Sequence, residues 1–331
     1  MNVTVIGTGG WGTALAVLLH GNGCHVRLWG RLAEEVEPIL ATGENALLLP
    51  GVRVPEAIVV TMDEAVALRG AEMVVLAVPS HGMRDICRRL RPHIPMAALL
   101  VHVAKGIENP TAKRMSEVIA EELRRTDIVA LSGPSHAEEV ARGIPTAVVA
   151  ASPSTACATR AQEVFMNERF RVYTHDDLIG VELGGAIKNV IALAAGVCDG
   201  IGLGDNTKAA LCTRGLAEMT RLGVACGARA ETFSGLSGLG DLIVTAFSRH
   251  SRNRAFGERL GRGETAPEIL ATTRAVAEGV RTVLSVQQLA QVHKVEMPIA
   301  REVYAIVHNG KSPHQAVRDL MGRDAKPEFS G

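Results

Sequence analysis

The sequence predicts an α/β fold: a doubly wound, Rossmann-type sheet followed by an all-helical C-terminal domain. Three observations carry this. Short apolar runs alternate with helical stretches through the first half, a glycine-rich turn follows the first run at once, and no strand pattern recurs beyond Asp176. Alternation of this kind marks βαβ units with parallel strands, and its loss marks a change of architecture. The division falls between residues 1–176 and 177–331.

In chain order, strands are expected at residues 3–6, 25–29, 58–61, 73–78, 98–103, 128–131, 146–150 and 171–173. Several are nearly unbroken apolar runs, as strands covered on both faces require. Helices are expected between them at 13–20, 81–90, 112–124 and 154–165. A long helix over 177–197 opens the second domain, with Asp176 or Asp177 as its N-cap. Further helices follow at 206–225, 252–260, 282–293, 298–308 and 314–321, with glycine-rich breaks at 200–204 and 235–240. Residues 325–331 read as a frayed tail.

Composition narrows the function. The 331 residues are 47% hydrophobic and 21% charged, enough apolar content to bury a core without staples. The 35 basic residues match 35 acidic ones, so no global field draws in nucleic acid or an acidic membrane. Aromatics, at 3%, are too few for base-stacking platforms. The six cysteines form no Cys-x-x-Cys pair, so no metal site is expected and a reducing compartment suits them. The N-terminus enters a strand pattern directly, without a signal-peptide pattern. The longest apolar stretch, 190–198, is too short to span a bilayer. A cytoplasmic chain without stable membrane insertion is the expectation.

The turn Gly7-Thr8-Gly9-Gly10-Trp11-Gly12 fits G-x-G-x-x-G. The spacing alone is weak. Here it follows a strand, opens the helix TALAVLLH and leads to a second strand, which makes it strong. Its glycines allow a tight turn and let N–H groups reach a pyrophosphate at the positive helix end. The acidic residue usual at the end of the second strand is missing, because that strand ends Trp29-Gly30-Arg31. An arginine there attracts a 2′-phosphate, so NADP is admitted beside NAD. A solvated surface arginine is the plain alternative.

Four stretches place polar groups where a plain fold needs none. Lys105 follows a strand at the sheet edge where ligands bind, and it faces an anion or is a solvated loop lysine. Gly133 and Ser135 lie in SGPSHA after another strand, where turn chemistry alone also accounts for them. His136 in that stretch is tempting as an acid or base, although a lone histidine near a helix start is more often structural. Lys188 sits mid-helix in GGAIKNVI beside two glycines. Burying an ammonium is costly unless it is paired or its pKa falls, so it is either functional or snorkels to water. Finally, Asp241 in GLGDL precedes Ser251, Arg252 and Asn253. Asp241 orients the lysine, binds a hydroxyl or caps the LIVTAF run. Ser251 or Asn253 caps a helix start that, with arginine alongside, makes an anion site.

Taken together, GTGGWGTALA, LWGR, AVPS, AKGIE, SGPSHAEEVARGIPTAVV, GGAIKNVIALAAGVCDGIGLGDNTKAAL, TFSGLSGLGDLIVT and SRN occur in this order over almost the whole chain. They resemble the bacterial-type NAD(P)-dependent sn-glycerol-3-phosphate dehydrogenases. The lysine-centred helix and the GLGDL…SRN pair are far more specific than the glycine turn. The resemblance implies reversible reduction of dihydroxyacetone phosphate to sn-glycerol 3-phosphate with NAD(P)H. It implies cofactor contacts at Gly10, Trp11, Arg31, Lys105, Ala137, Arg252, Val276 and Glu278, beside the fingerprint glycines Gly7, Gly9 and Gly12. Gly10 stands where many members carry serine, which leaves a backbone contact only, and Trp11 replaces a smaller aromatic. Substrate contacts are implied at Lys105, Gly133, Ser135, Lys188, Asp241, Ser251, Arg252 and Asn253, with Lys188 as the proton donor and acceptor. A homodimer through the helical domain is implied by the resemblance alone. A related dehydrogenase of another hydroxy acid is the nearest rival, disfavoured by the SRN segment. A non-catalytic dinucleotide sensor is the other, disfavoured by Lys188 with Asp241, since binding alone needs neither.

Overall fold

A computed structural model describes residues 1–273, 277–325, 327 and 328. The strands are β1 (Asn2–Ile6), β2 (His25–Trp29), β3 (Val59–Thr61), β4 (Met73–Leu76), β5 (Leu99–His102), β6 (Ile128–Ser132), β7 (Thr146–Ala151) and β8 (Phe170–His175). They form one sheet in the order β3-β2-β1-β4-β5-β6-β7-β8. Neighbours are parallel except β6 and β7. The reversal has a local cause. The helix between them, α6 (Ala137–Ala141), has five residues, too short for a crossover, so β7 returns antiparallel.

The remaining helices of the sheet domain are α1 (Gly10–Gly21), α2 (Ala33–Thr42), α3 (Glu64–Leu68), α4 (Met83–Leu90), α5 (Met115–Leu123) and α7 (Thr155–Phe165). The sequence does not announce α2, α3 or α6. Pro38 lies inside α2, and the other two have five residues each, too few to display a helical period. The runs expected as strands at 73–78 and 98–103 stop at Leu76 and His102, and their last residues become loops at the carboxyl edge. Strand order reverses between β1 and β4, the point where open sheets of this class bind ligands. The loops after β1, β4, β5 and β6 all gather there.

The C-terminal domain is built around α8 (Leu178–Gly200), which Asp177 caps by accepting from Gly180 N at 2.8 Å. Around it pack α9 (Asp205–Ala225), α10 (Asp241–Phe247), α11 (Arg252–Gly261), α12 (Ala266–Thr272), α13 (Glu278–Val292), α14 (Pro298–Asn309) and α15 (Pro313–Met321). The apolar part of α8 runs longer than the stretch at 190–198. By length and composition it could cross a membrane, but 94% of that window is buried inside the chain, as befits a core helix. The expected glycine break at 235–240 is instead a π-helical turn, Leu236–Gly240, leading into α10. In the tail, Lys326 and residues 329–331 lie outside the described residues, and Glu328 offers its carbonyl to Arg214 at 3.1 Å.

One contact joins the two halves, and another sets the packing of the helical domain. At the domain seam, the buried Glu182 of α8 accepts from Ser116 N at 2.7 Å, Ser116 Oγ at 2.6 Å and Arg114 Nη1 at 2.5 Å. Burial opposes this carboxylate's charge, but these donors and His102, 3.1 Å away, hold its pKa down at about 2. Within the helical domain, α8 and α11 touch backbone to backbone. A Cβ on Gly196 would stand 1.9 Å from the Arg254 carbonyl oxygen, and one on Gly257 would stand 2.0 Å from that of Leu193. Only glycine permits this approach, and it brings Asn253 at the start of α11 against Asn189, the neighbour of Lys188.

Candidate active site

The crevice at the sheet's carboxyl edge is built first by the glycine turn. Gly7 has φ +118°, a region other residues rarely adopt, and a Cβ on Gly12 would lie 2.0 Å from the Gly7 carbonyl oxygen. Gly9 is the N-cap of α1 and no side chain caps that end, so its first N–H groups are open to an anion. The 45–49 segment folds over this turn. Asn45 Nδ2 donates to Thr8 O at 2.7 Å and to Thr13 Oγ1 at 2.8 Å. The Leu48 carbonyl oxygen then stands 2.5 Å from where a Gly10 Cβ would be. Glycine at position 10 is therefore a packing requirement of this chain.

Trp11 packs against the buried cluster of Ala14, Leu49 and Val52, as do Ala137 and Ala141. Its Nε1 is buried without a hydrogen-bond partner, a state that costs on the order of 1–3 kcal/mol unless a ligand relieves it. Arg31 lies exposed at the end of β2, and its side chain has no partner among the described residues. A nearby carboxylate that sequence reasoning passed over, Glu35, accepts from Thr8 Oγ1 at 2.6 Å. Glu278 opens α13 and reaches back to the sheet, accepting from Ser80 N at 3.0 Å and Ser80 Oγ at 2.6 Å. Val276 lies outside the described residues. An open helix end, an unpartnered indole N–H and an unpaired arginine along one crevice fit a dinucleotide.

Facing this crevice, Lys188 is 5% exposed, so it does not snorkel. Its Nζ lies 3.0 Å from Asp241 Oδ1 and donates to Thr245 Oγ1 at 2.6 Å. Asp241 and Thr245 share one face of α10 through their i, i+4 spacing, and the Thr245 hydroxyl donates to the Asp241 carbonyl at 2.6 Å. The other carboxylate oxygen, Oδ2, lies 2.8 Å from Lys105 Nζ. Lys105 also donates to Gly133 O at 2.8 Å and Ser135 Oγ at 3.3 Å. One buried carboxylate thus serves two ammonium groups from opposite domains. Burial would raise the Asp241 pKa, but the two lysines hold it low. Burial pushes Lys188 down to about 8, with Asp241 opposing and Lys105 assisting. A proton donor and acceptor poised near neutral pH, in a site of net positive charge, suits reversible chemistry on an anionic carbonyl or alcohol.

Comparison with known proteins decides the family. Residues 2–158 match the N-terminus of NAD-dependent glycerol-3-phosphate dehydrogenase, and residues 177–318 match its C-terminus. The chain belongs to the NAD-dependent glycerol-3-phosphate dehydrogenase family. It is 51% identical to the NAD(P)+ glycerol-3-phosphate dehydrogenase of Moorella thermoacetica, over 97% of this chain and 96% of that relative. It is 50% identical to that of Streptomyces griseus, over 99% of this chain and 98% of the relative. The crystal structure of glycerol-3-phosphate dehydrogenase from Coxiella burnetii superposes with a TM-score of 0.94 at 39% identity, covering 97% of this chain and 99% of that one. A ketopantoate reductase from Ralstonia eutropha, at 17% identity and a TM-score of 0.60, shares the fold alone.

In this glycerol-3-phosphate dehydrogenase family member, the start of α11 decides between the two expected caps. Ser251 is the cap, accepting from Arg254 N at 3.1 Å. Arg252 is exposed and makes no hydrogen bond or ion pair among the described residues. The Asn253 side chain is already engaged within the protein. Its Nδ2 donates to Asn189 Oδ1 and its Oδ1 accepts from Gly279 N, both at 2.9 Å. It pins α8, α11 and α13 together, while its backbone N–H, in the first turn of α11, takes no side-chain cap. Thr245 and Asn189 were not singled out from sequence. Thr245 could have been found as the i+4 partner of Asp241. Asn189, whose Nδ2 donates to Lys105 O at 2.9 Å, shows only as a second polar residue beside Lys188.

Proposed function

We propose that this enzyme reversibly reduces dihydroxyacetone phosphate to sn-glycerol 3-phosphate with NAD(P)H in the cytoplasm, supplying the glycerophospholipid backbone. Residues 1–176 hold the dinucleotide, and residues 177–331 supply the proton and the phosphate anchor. The observation that carries the reading is the buried Lys188–Asp241–Lys105 arrangement, at 3.0 and 2.8 Å, beside the open first turn of α11.

The fingerprint glycines, Trp11, Arg31, Ala137 and Glu278 would hold the dinucleotide, which supplies the hydride when bound. Arg252 and the first N–H groups of α11 hold the phosphate and so fix the carbonyl carbon. Gly133 and Ser135 line the same wall, with Lys105 between cofactor and substrate. As negative charge builds on the carbonyl oxygen, the Lys188 ammonium stabilises it and then protonates it. In the reverse direction neutral Lys188 takes the hydroxyl proton. Asp241 keeps the lysine aimed, and Thr245 fixes the carboxylate through α10. The test is loss of reduced-nicotinamide absorbance on adding dihydroxyacetone phosphate, within a panel of related ketones and both reduced cofactors. No oxidation with any phosphorylated ketone overturns the reading.

Two further results are expected. NADPH is used at least as well as NADH, and Arg31→Asp moves the preference toward NADH, because a carboxylate repels the 2′-phosphate and accepts ribose hydroxyls. The ratio of kcat/KM for the two cofactors measures this, and a wild type that ignores NADPH removes Arg31 from that role. The second concerns pH. Oxidation of glycerol 3-phosphate needs neutral Lys188, so its rate climbs as pH rises through about 8, while ketone reduction declines over the same range. Asp241→Asn removes the charge that favours the ammonium, so both limbs shift to lower pH. Limbs that stay in place would separate them from Lys188.

A further inference from the structure

The sequence leaves His136 between a catalytic and a structural role, and its surroundings decide against the second. It is the N-cap of α6, directly after Ser135, yet its side chain caps nothing. Its Nε2 is buried with no hydrogen-bond partner. A histidine kept for packing satisfies its buried nitrogen within the protein, because leaving it bare costs on the order of 1–3 kcal/mol. A nitrogen left bare between two domains, beside a binding site, awaits a ligand.

The neighbours say which part of the ligand. The His136 ring lies 5.8 Å, centroid to centroid, from that of His250, tilted by 54°. His250 directly precedes Ser251, the cap of α11. His136 therefore stands across the cleft from the first turn of α11, on the side of the nucleotide domain. Burial and the positive charges of Lys188 and Lys105 hold its pKa below the usual imidazole range, with Glu138 and the Val244 carbonyl opposing. A neutral ring with a free nitrogen, in a field already positive, is a donor suited to an anion that the lysines also attract.

We propose that His136 is a substrate-binding residue, its Nε2 donating to the phosphate of the bound triose phosphate opposite Arg252 and the start of α11. The phosphate is then clasped from both domains, and substrate binding draws α6 and α11 onto one group. This rests on the reading of the substrate given above.

The experiment compares wild type, His136→Phe and His136→Gln. The readouts are KM for dihydroxyacetone phosphate, KM for NADPH, and the inhibition constant of inorganic sulfate competing with the ketone. In His136→Phe, KM for dihydroxyacetone phosphate and the sulfate constant both rise roughly tenfold to a hundredfold, the worth of one hydrogen bond to a charged group. KM for NADPH moves less than about twofold, and glutamine, which keeps an N–H donor, recovers part of the loss. The preference for dihydroxyacetone phosphate over unphosphorylated dihydroxyacetone shrinks by the same factor. An unchanged sulfate constant in both variants overturns the proposal, as does an equal fall on the two ketones, which a packing role would produce. A wild type inert toward dihydroxyacetone phosphate would instead overturn the substrate assignment.

Discussion

Lys188→Ala is expected to lose a hundredfold to ten-thousandfold or more in turnover, roughly the worth of general acid–base catalysis. In the proposed mechanism the buried Lys188 ammonium meets the charge on the reacting oxygen, while Lys105 already spends its donors on Asp241, Gly133 and Ser135. The fold should survive. Breaking a buried ion pair is costly when it strands a charge, but Asp241 keeps Lys105 at 2.8 Å, and alanine suits the middle of α8. Dinucleotide binding should survive too, since the glycine turn lies in the other domain. Lys188→Arg should be nearly as poor, because a guanidinium does not release its proton near neutral pH. Single-turnover hydride transfer with NADPH and dihydroxyacetone phosphate, beside a cofactor titration and a melting curve, measures all of this. A folded, cofactor-binding Lys188→Ala protein that transfers hydride at near wild-type rate would sink the mechanism and leave the fold intact.

Arg252→Ala should weaken use of dihydroxyacetone phosphate by about 1.5–3 kcal/mol, a tenfold to more than hundredfold loss in kcat/KM. The lower part of the range for desolvated charge pairs applies, because Arg252 is exposed and strands no buried partner when removed. The loss should greatly exceed any effect on NADH binding. Wild type should use unphosphorylated dihydroxyacetone very poorly, and the variant's preference between the two ketones should fall accordingly. Equal efficiency of wild type on both would take Arg252 out of the phosphate role.

The sheet was readable because parallel strands buried on both faces leave unbroken apolar runs such as Met73–Leu76. The reversal at β7 was not, since strand direction depends on whether the intervening helix can cross the sheet, and α6 is too short to leave a periodic trace. At the site, Lys188 was legible as a charge among small and apolar residues, and Lys105 as a charge at a strand's carboxyl end. That both would share Asp241 was not legible, because it depends on how two domains meet. The part played by the Asn253 side chain was hidden for another reason. Its place in the SRN segment points to the anion equally well through backbone or side chain, and only the bonds to Asn189 and Gly279 tell them apart.

The glycine contact between α8 and α11 acts as a gauge. The proposed proton donor, Lys188, rides on α8 and the proposed phosphate anchor, Arg252, on α11, and no side chain stands between their main chains at Gly196 and Gly257. The spacing of the two main chains is therefore set by backbone contact, and only the Lys188 and Arg252 side chains adjust the span from donor to anchor. Trimming residues around the cleft makes room but does not move its two ends apart. A phosphorylated ketone one carbon longer has to be met by those two side chains, because separating the helices would disturb the core of the domain that carries them.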